Sequence, residues 1–252
     1  MKDIYKYIDE NVDEYIKDLQ EFIRKPSVSA QKLGLEECAN YVVEKMHKDG
    51  LPAELHEIPD GPPLVFGHLK SSNSKKTMFC YSHYDVQPPE PIEEWSHGGP
   101  WSGALVDNVI YGRGATDNKG GLLAFNKAAK AFLKVRGEVP LNLKFFYEGE
   151  EEIGSVHLGP WVEKNKKLLE ADGMHCLDGT VDEFAKVPEV ELGLKSVLFV
   201  ELIARGGKKD IHSLNFPLVP SPPWELVHAL STIMTRDRKI LIKDWYEGLY
   251  EL

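Results

Sequence analysis

Residues 145–155 read FFYEGEEEIGS. The apolar run 141–147, LNLKFFY, leads straight into Glu148, Glu150, Glu151 and Glu152. A segment built to be buried thus ends in four carboxylates within five positions. Like charges this close repel, and burial makes the repulsion worse. Either water solvates all of them or a cation sits among them.

Outward from this stretch, strand and helix signals alternate. Downstream, the pattern predicts a helix over 157–169 and a strand over 173–177. Upstream, it predicts a helix over 119–135, with Leu122, Phe125, Ala129 and Phe132 on one face. Strands are predicted at 53–58, 64–69 and 77–82, and residues 86–103, rich in Pro and Gly, read as one long loop. Two amphipathic helices open the chain, at 3–24 and 35–49; Pro26 ends the first and Gly50 the second. The fold expected is α/β, a central mostly parallel sheet flanked by helices. Near Gly193 the pattern changes: 195–205, KSVLFVELIAR, reads as one long strand, and 224–234 as a helix. We therefore expect a catalytic domain over 1–194 and the start of a smaller α+β lid domain over 195–252.

The chain has 252 residues, 42% of them hydrophobic, enough for a sizeable core. Its net charge of −10 argues against nucleic acid and anionic membrane as partners. No apolar run approaches the ~20 residues of a membrane span. The N-terminus, with a charge every few residues, is no signal peptide. Cys38, Cys80 and Cys176 are widely spaced and odd in number. That pattern fits a reducing cytoplasm, and Cys80 and Cys176, in apolar runs, read as core residues.

Three other junctions resemble the glutamate run. In Tyr81-Ser-His83-Tyr-Asp85, residues two apart on a strand point the same way, so Asp85 can steady the His83 ring while its other nitrogen binds a metal. Asp117, in GRGATDNKGG, stands just ahead of a helix; this loop lacks the G-K-[ST] of a phosphate loop. Asp178 follows the strand at 173–177. Each alone has a plain reading as a turn or a solvated acid. Together, four strand ends carry His, Asp or Glu, and ligands bind at the carboxyl ends of the strands of an open α/β sheet.

These motifs, SHYDVQPPEPIEEW (82–95), LVDNVIYGRGATDNKGG (105–121), EGEEEIGS (148–155), the Asp178 region and KDIHS (209–213), resemble the di-zinc peptidases and deacylases. That family includes carnosinase, cytosolic nonspecific dipeptidase, acetylornithine deacetylase and succinyl-diaminopimelate desuccinylase. The form HYDVQP is more similar to its dipeptidase branch. The resemblance implies two Zn2+ ions, or Mn2+ or Co2+, held by His83, Asp117, Glu152 and Asp178, with Asp117 bridging the two ions and joined to Asn118 by a cis peptide. It implies Asp85 as the residue orienting His83, Glu151 as general base and His212 as a lid histidine donating to the oxyanion from a dimer partner. A register shifted by one makes Glu150 the base and Glu151 the ligand. The implied reaction is zinc-dependent hydrolysis of dipeptides or short peptides by a metal-bridged water; N-acyl amino acids are the alternative substrates.

Two departures stand out. The family brings a further histidine ligand from a returning C-terminal half, and nothing after residue 212 resembles it. The resemblance therefore implies a truncated chain: the N-terminal part of such an enzyme, a non-catalytic metal-binding fragment, or a subunit completed by a second chain. After His212 the family commonly has glycines, where this chain reads HSLNFPLVP.

Overall fold

The computed structural model describes residues 1–178, 187, 197–209 and 212–248. Two helices, α1 (Lys2–Glu10) and α2 (Val12–Ile23), stand where the sequence predicts one. Asn11 makes the break: its side-chain amide donates to Tyr7 O at 2.7 Å, a local bond that competes with the helix. Helix α3 (Leu35–Lys48) follows, then strands β1 (Glu54–His56), β2 (Leu64–Leu69) and β3 (Thr77–His83). The long loop ends in a small hairpin, β4 (Ala104–Val106) and β5 (Val109–Tyr111), which the sequence reading did not anticipate. Helix α4 (Lys119–Arg136) leads to β6 (Asn142–Glu148), the strand of the opening stretch. The helix predicted over 157–169 is again split, into α5 (Leu158–Lys164) and α6 (Lys166–Leu169), and again at an asparagine: Asn165 donates to Trp161 O at 2.8 Å. Strand β7 (Gly173–Cys176) follows.

The sheet runs β1-β2-β6-β3-β7. Its pairing is mixed. β3 is parallel to β6 and β7, whereas β2 is antiparallel to β1 and β6, so the parallel half is the half that ends at the glutamates. Alternation along β6 serves both faces: Phe145 and Tyr147 join a core with Val42, Met46, Leu122 and Ala129 of α3 and α4, while Phe146 packs with Phe66, Phe79 and Trp161 on the other face. Each such aromatic, fully withdrawn from water, contributes on the order of 1.5–3 kcal/mol. β7 is an edge strand exposed throughout, so Cys176 is exposed rather than a core residue.

Between α2, α3 and α4 lies a buried ionic cluster. Lys127 bridges Asp18 and Asp49, Lys45 also reaches Asp18, and Lys130 joins Asp49 to Glu14. Pairing is what makes these charges tolerable in the interior.

The chain divides into two units, residues 1–191 and 192–252. In the second, helix α7 (Pro222–Ile233) forms where predicted, with proline at its first turn. The long strand predicted over 195–205 does not form over 197–205, and 195–196 lie outside the described residues. Val197, Leu198, Phe199 and Val200 are largely exposed: among the described residues no strand pairs with this apolar run, and a strand needs a neighbour for its backbone groups. Among the described residues, no helix is long and apolar enough to cross a membrane.

Candidate metal centre

The parallel strands β3 and β6 end side by side, pairing His83 with Glu148. This register delivers the imidazole to the foot of the glutamate run. Beyond Glu148 the chain needs Gly149: a Cβ there would lie 2.4–2.8 Å from the phenol of buried Tyr84. That phenol donates to Pro63 O at 2.6 Å, so it cannot move aside freely.

His83 is fully buried. Its Nδ1 lies 3.1 Å from Asp85 O and 3.3 Å from Asp85 Oδ1, both acceptors, so Nδ1 carries a proton and Nε2 is the nitrogen turned toward the other acids and available to a metal ion. Nε2 sits 3.2 Å from Asp117 Oδ1, 3.7 Å from Asp178 Oδ1 and 3.9 Å from Glu151 Oε2. None of these contacts is aligned as a hydrogen bond, so Nε2 is a buried polar atom without a partner among the described residues. One donor atom each from His83, Asp117 and Asp178 lies within 4.8 Å of the others, the compact group a metal ion takes.

The electrostatics ask for a cation. Burial works against a charged imidazole, yet Asp117, Asp178 and Asp85 outweigh it and push His83 up to about 12. His83 in turn holds Asp117 below its ordinary range. Burial pushes Glu151 and Glu152 up, and the neighbouring carboxylates reinforce it. A divalent ion would relieve this repulsion and keep the acids ionised. Nitrogen and carboxylate oxygens together suit zinc and its borderline neighbours. A second group, Glu14, Asp18 and Asp49, has the same compactness but already holds lysines, so it needs no ion.

The loops supply the rest. The Asp117–Asn118 peptide is cis, as the motif implied. Lys119, fully buried, donates to the carbonyls of Phe22 and Lys25 and so ties the start of α4 to the end of α2. Asp85 accepts the backbone N–H groups of Glu151 and Glu152. Gln87 donates to Glu152 Oε2 at 2.9 Å, a contact that no sequence signal pointed to. Glu150 turns elsewhere: buried, it engages His157 instead. His212 belongs to the second unit, where it is exposed and its Nδ1 accepts Leu214 N–H.

An α/β sheet whose parallel strand ends gather an imidazole and several carboxylates carries the donor set of a metal centre. The chain belongs to the peptidase family M20/M25/M40, whose sequence model matches residues 79–238. It is 34% identical to the Cys-Gly metallodipeptidase dug1 of Schizosaccharomyces pombe over 99% of this chain and 55% of that protein. It is 28% identical to the Beta-Ala-His dipeptidase of Homo sapiens over 100% of this chain and 53% of that one. Among solved structures, the M20 family metallo-carboxypeptidase Sso-CP2 from Sulfolobus solfataricus superposes with a TM-score of 0.84 at 41% identity, covering 95% of this chain and 54% of that one. The chain spans about half the length of the curated relatives it matches.

Proposed function

We propose that the protein hydrolyses peptide bonds in dipeptides or short peptides with a bound divalent metal, most fittingly zinc. The observation that carries this reading is the unpartnered, buried His83 Nε2 facing Asp117, Asp178 and Glu151 at the strand ends. The relatives named for dipeptide substrates support the substrate class.

In this reading His83, Asp117, Asp178 and Glu152 would be the residues that hold the metal. Bound there, it would supply Lewis acidity, polarising a carbonyl and making a water acidic. Asp85 keeps the His83 proton on Nδ1 and so keeps Nε2 available as a ligand. Glu151, its carboxyl raised by burial toward the range of a general base, takes the proton of the attacking water on Oε2 and returns it to the leaving amine as the C–N bond breaks. Gln87 fixes Glu152 in place. His212 donates to the oxyanion across a dimer formed by the lid, with residues 1–194 as the catalytic part and 195–252 as the start of that lid. The three free cysteines fit a reducing cytoplasm.

The test is hydrolysis of a dipeptide panel by the purified chain with added zinc or manganese, against the Glu151→Gln variant. Loss of a general base lowers kcat by roughly 10²–10⁴-fold. Equal rates remove Glu151 from the role. Zinc taken up without turnover by either protein points instead to a non-catalytic metal-binding subunit, and faster cleavage of N-acetyl amino acids to a deacylase.

A further inference from the structure

Glu150, Glu151 and Glu152 occupy consecutive positions leading into a short 3-10 turn, Glu151–Ile153. Glu150 is the N-cap of this turn, with non-helical backbone at φ −139° and ψ 15°, so its side chain leaves on its own course while Glu151 and Glu152 begin the turn. Glu150 is the one turned away. It is only 7% exposed, and both its oxygens are engaged by one residue: His157 Nδ1 lies 2.9 Å from Oε1 and 3.1 Å from Oε2, and His157 N–H donates to Oε2 at 3.1 Å. A carboxylate only accepts, so the ring proton sits on Nδ1.

The chain goes out of its way to make this contact. Gly154 and Ser155 both adopt left-handed backbone, at φ 86° and 51°, and Ser155 N–H closes back on Glu150 O at 2.8 Å. That path returns His157 to Glu150. On the opposite side, Asp85 grips the N–H groups of Glu151 and Glu152. A buried Glu150 beside three other acids is costly unless it is paired.

We propose that Glu150 and His157 form a positioning clamp that aims Glu151 and Glu152 into the metal centre and keeps Glu150 from competing for the ion. The proposal rests on the metal-site reading above. Glu150 and His157 are positioning residues: neither touches the ion, and the clamp acts by setting the rotation of the turn. It also assigns the register left open by the sequence, since a Glu150 held by His157 is not the general base.

The test uses the full chain and zinc itself, with affinity read by competition against a chromogenic chelator and geometry read from the visible spectrum of the Co2+ form. His157→Ala lowers zinc affinity by about 10–100-fold, the range for partners that orient metal ligands, and alters the Co2+ bands. His157→Asn restores both, because its amide nitrogen hangs from Cγ as Nδ1 does. Glu150→Gln, which keeps the shape but changes one acceptor to a donor, shifts both readouts in the same direction as His157→Ala and serves should that variant fold poorly. Wild-type affinity and bands in both His157→Ala and Glu150→Gln overturn the clamp, as does His157→Asn behaving like His157→Ala. No zinc uptake by the wild-type chain overturns the metal-site reading, and the clamp with it.

Discussion

Asp85 Oδ2 accepts the backbone N–H of Glu152 at 3.2 Å, which ties the end of β3 to the turn that follows β6. The other oxygen accepts Glu151 N–H at 3.2 Å and lies 3.3 Å from His83 Nδ1. One buried carboxylate thus serves the imidazole and the glutamate turn together. The parallel β3–β6 register makes this possible by ending both strands at the same level.

Replacing Asp85 by Asn puts an amide donor against a donor on one side, either His83 or the turn. We predict a loss of zinc affinity of about 10–100-fold, with the fold retained. Chelator competition measures it, and circular dichroism checks the fold. Wild-type affinity in Asp85→Asn shows that the bridging contact does not organise the site.

Gly121 sets the distance between two of the loops. A Cβ at this position would come within 2.1 Å of Asn118 Oδ1 and 2.5 Å of Leu177 O, so the start of α4 meets the segment after β7 only because no side chain intervenes. Asp117 and Asp178 are the adjoining residues on the two sides. We predict that Gly121→Ala costs roughly 1–3 kcal/mol by overpacking and weakens zinc uptake together with it. Denaturant melts read the first and chelator competition the second. An alanine variant with unchanged zinc affinity shows that the two acids do not depend on this close approach.

Much of the fold was readable because hydrophobic period and stop signals agreed. β2 forms over 64–69 as expected, and α3 and α4 sit within a residue or so of their predicted limits. The broken helices were not readable from period alone. At Asn11 and Asn165 the apolar stripe continues, and what stops the helix is a side-chain amide choosing the carbonyl four residues back. The β4–β5 hairpin did carry a signal. Asp107 and Asn108 both have positive φ, as a type I′ turn between strands requires, and Asp and Asn tolerate that backbone better than most residues. The hairpin lies just past the Pro- and Gly-rich loop of 86–103, and its two strands are only three residues each, too short for an alternation to stand out. At the site, His83, Asp117 and Asp178 were legible as acids and an imidazole at strand ends. Gln87 and His157 were not, because a long-range contact from a loop or helix start leaves no period or spacing in the sequence.

Lys127 shows what holds the helical layer. Its ammonium, almost wholly buried, bridges Asp18 of α2 and Asp49 at the end of α3. Without it Asp18 keeps only Lys45 and Asp49 only Lys130, so the buried cluster loses the cation that joins them and carries one more uncompensated negative charge, at about 3–5 kcal/mol. We predict a destabilisation of that order for Lys127→Met, read from urea melts at pH 7. The Lys127→Met, Asp18→Asn double variant recovers part of it, because one buried negative charge goes with the lysine's positive one. Additive losses in the pair show that the bridge is not the source of the effect.

The same cluster gives the acid side of the stability profile. Burial of Asp18 would raise its pKa, but Lys127 and Lys45 outweigh burial and hold it below the ordinary carboxylate value. A carboxyl whose folded pKa is depressed binds fewer protons in the folded chain than in the unfolded one. Stability from this group is therefore fully present above the unfolded value of about 3.9 and is lost as the pH falls through the lower folded value. Lysine charge does not change in this window, so the titration belongs to the acid. We predict that wild type exceeds Asp18→Asn in stability by a constant margin from pH 7 down to about pH 5, and that the margin shrinks below about pH 4. Comparing the two proteins at each pH cancels the contribution of the other carboxylates. Urea melts across the series read the margin. One that stays constant into strong acid, or widens there, shows that the lysines do not hold Asp18 ionised in the folded chain.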